Sequence, residues 1–259
     1  MRRQLRSRLL GAVVLVVAAA GVTGCDDFVI GDRPPASSSP SPSSAPASPS
    51  PSTTPEALPM LPERAAPGGG WTVFTDDQRL ISFEVREEWT VDPIEDLGEG
   101  FEEGGLHFSV SNADGAILAQ LHTRIAEPSD ECKPESASPY LVLASEPVDL
   151  PSTAAAEGSI EPRFVVRVIQ GFRFFSSFGV TDRVGGADGA ACTLYNTVQG
   201  PEHIGLYSFG DSVGLRALEP SQVSSRTPSF ATIAEAQGRF NRDDFDSIRR
   251  MVMSLQVAG

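Results

Sequence analysis

Residues 106–124 read LHFSVSNADGAILAQLHTR and contain the strongest fold signal in the chain. Every second residue of LHFSV is apolar, and this period of two is typical of a strand with one buried face. The dipeptide Asp114-Gly115 favours a two-residue hairpin turn. We therefore predict that residues 106–112 and 117–124 pair as an antiparallel hairpin.

The same alternation is found elsewhere in the chain. In LISFEV, residues 80–85, the side chains of Ile81, Phe83 and Val85 share one face, and the polar residues between them share the other. This pattern predicts another half-buried strand. Further strands are predicted at residues 140–145, 163–169, 172–178, 192–198, 204–209 and 213–217.

A helix is predicted near the C-terminus. Apolar residues between Phe245 and Leu255 recur at helical spacing, with Asn241 as the expected N-cap. A weaker pattern predicts a helix over residues 230–236. The predicted strands come first along the chain and the predicted helix comes last. This order indicates an α+β fold, namely an antiparallel β-sheet with a C-terminal helix packed on one face.

A cluster of phenylalanines lies within RFVVRVIQGFRFFSSFGV, residues 163–180, which is apolar on both faces in places. Such a pattern is typical of a central strand covered by a helix. At strand spacing Phe172, Phe174 and Phe178 share one face, and Phe175 lies on the other. The rings either belong to the core or line a ligand groove or a partner-binding patch.

The N-terminus has the pattern of an export signal. A cationic segment, residues 1–8, precedes the apolar stretch Leu9–Val22. This stretch is shorter than the roughly 18 residues that a membrane-spanning helix needs, so we predict that residues 1–24 are a signal peptide. Arg2-Arg3 leaves both Sec and twin-arginine export open.

Val22-Thr23-Gly24-Cys25 resembles the lipobox of bacterial lipoproteins, in which a signal peptidase cuts before the cysteine and its sulfur carries a diacylglycerol. The resemblance implies lipidation of Cys25 and anchoring to the outer face of the cytoplasmic membrane. Two acyl chains give stable anchoring where one is marginal. An ordinary signal peptide with an incidental cysteine and an uncleaved anchor are the alternatives.

A tether follows the predicted anchor. Residues 34–55 consist only of Pro, Ala, Ser and Thr, a composition that cannot bury enough apolar surface to fold. Residues 25–70 are therefore predicted to be disordered. The part from Gly31 to Gly70, about 40 residues, has a reach of roughly 40 Å as a coil and about 120 Å when extended. The same composition is found in O-glycosylated stalks. We assign residues 71–259 to a single folded domain.

Two cysteines remain after Cys25. Because thiols outside the membrane tend to be oxidised, Cys132 and Cys192 are predicted to form one disulfide. Two cysteines without histidines at matching spacing make a poor zinc site.

The charge of the chain restricts its partners. The formal net charge is −14, and four of the arginines lie in the predicted signal peptide. An acidic protein has no basic surface with which to displace counterions from phosphates, which argues against nucleic acid. Residues 84–103 hold nine acids and one arginine. This run is interpreted as a solvated loop, with calcium binding and docking to a basic partner as alternatives.

The predicted hairpin carries two histidines. With a two-residue turn the register places His107 opposite His122 on the face away from Phe108 and Leu121. A four-residue loop would instead leave the two histidines as diagonal neighbours on that same face. Two adjacent imidazoles bind a transition metal if a carboxylate joins them, but we favour a solvated strand face. His203 lies in a predicted turn and has no assigned role.

FEVREEWTVDP near the start of the domain and FDSIRRMVMSLQV at its end resemble the PsbP-like fold of small Gram-positive envelope lipoproteins. The resemblance implies a scaffold for binding or assembly, without a shared catalytic site. The chain also lacks the phosphate-loop and His-Glu-x-x-His motifs. The spacing Gly-x-Ser-x-Gly occurs at residues 210–214, but between two predicted strands and not at the strand-to-helix turn that forms a hydrolase elbow. We expect a non-enzymatic protein without cofactors that binds an envelope protein, with substrate or cation capture as the alternative and an envelope hydrolase third.

Overall fold

The structure, a computed structural model, describes residues 59–128, 132–156, 158–223 and 228–259. The predicted signal peptide, Cys25 and most of the predicted tether lie outside these ranges. Of the helices described, none is long and apolar enough to cross a bilayer.

The described chain is built mainly from short antiparallel strands, with two helices close to the C-terminus. The elements are β1 (Trp71–Thr75), β2 (Ile81–Arg86), β3 (Thr90–Pro93), β4 (His107–Ser111), β5 (Ile117–Ile125), β6 (Ser138–Pro147), β7 (Ser159–Gln170), β8 (Phe174–Arg183), β9 (Ala190–Ala191), β10 (Thr193–Tyr195), β11 (Val198–Gln199), β12 (Leu206–Gly210), β13 (Gly214–Arg216), β14 (Ser229–Phe230), α1 (Ile233–Phe240), α2 (Asp243–Met253) and β15 (Gln256–Val257).

The main sheet has the strand order β3-β4-β5-β12-β8-β7-β6-β9, with β11 added to β12 and β14 added to β8. All of these pairs are antiparallel. The predicted α+β class, an antiparallel sheet with a helix near the C-terminus, is confirmed.

The hairpin of β4 and β5 has the predicted register, with His107 opposite His122. Its turn is one residue longer than predicted. Gly115 N donates to the Asn112 carbonyl at 2.9 Å, and Gly115 has a φ of 76°, a conformation that glycine adopts without steric cost. A register shift beside Val110 absorbs the extra residue.

A second layer covers one face of the main sheet. β1, β2 and β15 form a small sheet, and α2 packs against β2, β7 and β8. The ring centroid of Phe83 lies 4.8 Å from that of Phe209, and Phe178 lies 5.2 Å from Phe245. The hydrophobic core therefore lies between the main sheet and this second layer.

The two helices differ in detail from the prediction. α1 begins after Thr232, whose hydroxyl accepts a hydrogen bond from Glu235 N at 3.1 Å. Asn241 ends α1, so its assignment as the N-cap of the last helix is wrong; α2 is preceded by Arg242. Leu255 is buried as predicted but lies beyond the end of α2.

The outer face of β2 is covered as well. Ser82 and Glu84 were predicted to face away from the core, yet both are buried. Glu84 forms ion pairs with Arg250 of α2 and with Arg64. Leu61 also packs against the core. The last residues assigned to the tether therefore contact the domain.

Candidate functional site

The second face of the main sheet carries a buried polar network. Arg167 on β7 is only 3% exposed, and its Nη2 donates to the Tyr195 carbonyl and to Asn196 Oδ1, both at 2.6 Å. Asn196 Nδ2 donates to Ser177 Oγ at 2.6 Å. Ser177 donates in turn to Asp211 Oδ1 at 2.6 Å. We call the side chains of Arg167, Asn196, Ser177 and Asp211 the Asp211 network.

The backbone holds the middle of this network in place. Gly179 leaves room for Asn196, because a Cβ at position 179 would lie 2.9 Å from Asn196 Cβ. Asn196 Nδ2 also donates to the Ser212 carbonyl at 2.9 Å, and Phe178 N donates to Asp211 Oδ1 at 2.9 Å. The network thus joins β8 to the residues that follow β10 and β12.

Burial shifts the proton equilibria of both charged members. It lowers the pKa of Arg167 to about 10, and no ion pair of Arg167 occurs within the described residues. Burial raises the pKa of Asp211 to about 6, opposed by its hydrogen bonds and by the charge of Arg239. Carboxyl groups with such raised pKa values are concentrated at functional sites.

A groove of about 750 Å³ opens beside Asp211. β12 pairs with β5 only as far as Gly210 and Gln120, whereas β5 begins three residues earlier, at Ile117. In the described part of the chain, no strand pairs with this edge of β5 at residues 117–119. The groove therefore lies in the space beyond the end of β12.

The walls of the groove are mainly apolar, with a few polar groups. Arg216, Arg239 and Asp211 line it together. Ser176 also lines it; this residue is 3% exposed, and its hydroxyl has no hydrogen-bond partner within the described residues. Such a concave apolar surface with a few polar groups is typical of binding sites. The apolar wall includes Ile117, Leu118, Phe175, Leu215, Leu218 and Ile248.

A smaller cavity of about 340 Å³ adjoins the groove. Gln120, Asp211 and Ser212 line both spaces, so Asp211 stands between them. His122 and Ser208 also line the smaller cavity. A histidine, a serine and a carboxylate are thus brought to one cavity. In the described structure no hydrogen bond joins them into a catalytic relay. Asp211 Oδ1 instead accepts from Ser177 Oγ and Phe178 N.

His107 and His122 form a buried pair. Their Nδ1 atoms are 3.1 Å apart, and the residues are 8% and 6% exposed. The ring of Phe101 lies over both, with centroids 5.0 and 4.8 Å away. Our interpretation of a solvated strand face is therefore wrong, because the segment between β3 and β4 folds back over the hairpin.

Burial lowers the pKa of His122 to about 4, with a further contribution from His107, and it lowers the pKa of His107 as well. The neutral pair is thus the stable form near pH 7. No group of three His, Cys, Asp or Glu side chains suited to a metal occurs in the described ranges. The pair therefore lacks the carboxylate that a metal site was expected to need.

The acidic run forms part of this cover. Its apolar residues Ile94, Leu97 and Phe101 line the smaller cavity, while most of its acids are exposed. The covering segment presents these three apolar side chains to the cavity, and it is bonded to β5 through its backbone, since Glu102 N donates to the Arg124 carbonyl at 2.8 Å. His203, which had no assigned role, places Nε2 3.2 Å from the Ala258 carbonyl, beside the C-terminal strand.

The phenylalanine cluster is divided between core and surface. Phe178 lies in the main core, Phe174 is half-buried and Phe172 is 53% exposed. Phe172 packs edge-on against Phe175 at 5.6 Å. Phe175 and Phe178, one from each predicted face, both line the groove, whereas Phe172 and Phe174 are not part of its lining.

Cys132 and Cys192 form the predicted disulfide. It links the segment before β6 to the residue between β9 and β10. β6 and β9 also pair there through Ser138 and Ala191. The bond therefore closes the end of the main sheet that carries β9.

Sequence reasoning missed the Asp211 network and the groove. Asn196 and Ser177 are unremarkable in the sequence, and Asp211 stands within Gly210-Asp211-Ser212-Val213-Gly214. The proximity of the three side chains depends on strand pairing across long separations. Arg167 alone gave a signal, since a charged residue interrupts the apolar run FVVRVI. A buried arginine requires acceptors from elsewhere in the fold.

Comparison of the chain with known proteins finds no matching family model, no similar curated protein and no similar solved structure. The resemblances to lipoproteins and to the PsbP-like fold therefore stay predictions from the sequence.

Proposed function

We propose that this protein is a lipid-anchored extracytoplasmic binding protein, in which a tether presents the α+β domain to a partner protein of the cell envelope. The lipobox at Val22–Cys25 and the Pro/Ser-rich tract support anchoring and tethering. The disulfide between Cys132 and Cys192 supports an oxidising compartment.

The observation that carries the binding role is the groove beyond the end of β12. It offers an apolar surface, the edge of β5 at residues 117–119, which no described strand pairs with, and two arginines in a chain of strongly negative charge. Unpaired strand edges are templates for pairing with another chain. Binding of a protein segment uses all three features together.

Capture of a small ligand in the groove is the second candidate, favoured by the buried hydroxyl of Ser176 that has no partner within the described residues. Cation capture has less support, because the described chain brings no three suitable ligands together. An enzymatic role would require His122 and Asp211 to act on a substrate in the smaller cavity, where each already bonds to other groups.

Site-specific photo-crosslinking in cells tests the proposal. A crosslinking residue at Ile117, which is 54% exposed at the groove, is expected to capture a specific envelope protein. The same residue at Leu141, an exposed position on β6, is the control. Adducts from Leu141 but not from Ile117 would indicate that the partner protein binds at the edge of β6 and not at the groove. The absence of adducts at both positions would argue against a protein partner.

A further inference from the structure

We propose that the groove binds an extended, acidic peptide segment, which adds as a strand to the free edge of β5. This inference deepens the proposed function and rests on it, because it specifies the chemistry of the segment that the partner protein presents.

The end of β12 determines the geometry of this site. β12 pairs with β5 up to Gly210 and Gln120 and then leaves the sheet, while β5 continues to Ile117. On the far side, β8 has its own partners, since Ser176 N donates to the Pro228 carbonyl and β14 pairs with Phe174 and Phe175. Of the two strands that flank the groove in the described structure, β5 is therefore the one whose edge lacks a partner.

The free edge favours a peptide over a lipid or another hydrocarbon. Backbone N–H and C=O groups beside an apolar wall need hydrogen-bond partners, and a strand supplies them at regular intervals. Residues 117–119 span this edge of β5, and only every second one of them points its N–H and C=O groups away from β4, which suits a short extended segment. Alternate side chains of that segment would lie against apolar residues such as Leu118 and Leu215.

The polar groups of the groove indicate the charge of the segment. Among the described residues that line the groove, Arg216 and Arg239 are accompanied by one carboxylate, that of Asp211. Neither arginine forms an ion pair within the described residues. Because arginine binds carboxylates through paired N–H groups, we expect an Asp, a Glu or a C-terminal carboxylate in the bound peptide.

Ser176 supplies a further, uncharged contact. Its residue is 3% exposed, and its hydroxyl has no partner within the described chain. A buried hydroxyl without a hydrogen bond is costly, and a carbonyl or carboxylate of the peptide would remove this cost. Ser176→Ala is therefore expected to leave the stability of the free protein unchanged or higher while weakening peptide binding.

Random heptapeptide display on the full-length chain carrying Cys25→Ser tests the charge preference. Peptides selected by this protein are expected to be enriched in Asp and Glu. The double variant Arg216→Glu/Arg239→Glu is expected to select Lys and Arg instead, whereas Arg242→Glu, an exposed site outside the groove lining, keeps the acidic preference. No enrichment, or an acidic preference that survives the double reversal, would overturn the proposal.

Backbone methylation of the best selected peptide tests the strand addition. Replacing alternate N–H groups by N-methyl groups is expected to weaken binding at least tenfold on one of the two alternating sets, because only one set faces β5. Equal affinity of both methylated peptides and the parent would overturn strand addition. These assays need no anchored partner, so a negative result here remains distinguishable from an empty crosslinking profile at Ile117 in cells.

Discussion

The Nδ1 atoms of His107 and His122 lie 3.1 Å apart beneath the ring of Phe101. At this distance one imidazole donates its proton to the unprotonated nitrogen of the other. When both rings are protonated, two N–H groups point at each other in a buried space. The folded protein therefore favours the state in which both imidazoles are neutral and disfavours the state in which both are protonated.

Stability is expected to fall with acid because of this pair. The pKa of His122 is about 4 in the folded protein, below its unfolded value of about 6.5, so the unfolded chain binds the proton more readily. The free energy of unfolding therefore includes a contribution from neutral His122 that is fully present above about pH 6.5 and is lost as the pH falls towards 4. This contribution amounts to about 3 kcal/mol.

Urea unfolding of the wild type and of His122→Gln at pH 7.5 and pH 4.5 measures this effect. The variant is expected to lose less stability between the two pH values than the wild type does. His203→Gln serves as the control, because His203 lies outside the pair, and it should retain the full loss. Equal losses in wild type and His122→Gln would contradict the assignment.

Asp211 is expected to destabilise the folded protein at neutral pH. Burial raises the pKa of Asp211 to about 6, above the unfolded value of about 3.9. The folded protein is therefore stabilised while the Asp211 carboxyl is protonated, at low pH, and this stabilisation is lost as the pH rises from about 4 to 6. Asp211→Asn keeps an oxygen to accept from Ser177 and Phe178 and removes the charge. We expect it to raise the free energy of unfolding by about 2 kcal/mol at pH 7.5.

The pH dependence of the same substitution tests this assignment. Thermal unfolding of Asp211→Asn at pH 7.5 and pH 4.0 should show the gain only at the higher pH. A gain of equal size at both pH values would show that it does not come from removal of the charge, and a loss at pH 7.5 would mean that the carboxylate stabilises the fold. Residues that lower stability at a groove are commonly retained for function.

Asn196 is expected to be the most sensitive member of the Asp211 network. Asn196→Ala removes an acceptor from Arg167 and a donor to Ser177, which leaves a buried charge with fewer partners. Such losses cost about 3 kcal/mol. Chemical denaturation measures the change, and Asn241→Ala, at an exposed helix end, is the control. A change below 1 kcal/mol would show that the network is not a structural unit.

Loss of the disulfide is expected to destabilise the domain. Cys132 and Cys192 are 60 residues apart, and a loop of that length contributes about 4 kcal/mol through the entropy of the unfolded chain. The double variant Cys132→Ala/Cys192→Ala should unfold at correspondingly lower urea concentration. The wild type under reducing conditions should behave like the double variant, and a difference between them would point to effects of the substitutions themselves.

The fold was largely predictable because alternation and turn chemistry act locally. The register of His107 and His122 followed from the hairpin sequence, even though the turn proved one residue longer. The burial of these histidines was not predictable, because it depends on Phe101 folding back from an acidic run. The groove was not predictable either, since it results from β12 ending at Gly210, opposite Gln120, while β5 extends three residues further, to Ile117.

Lipidation of Cys25 is the central element of the proposed function, and detergent-phase partition with intact-mass measurement of the exported protein tests it most directly. The wild type is expected to partition into the detergent phase, with a mature chain that begins at Cys25 and carries the mass of attached acyl groups. Cys25→Ser is expected to appear in the aqueous phase without that mass. A variant that stays in the detergent phase, or a wild type without acyl mass, would contradict the account.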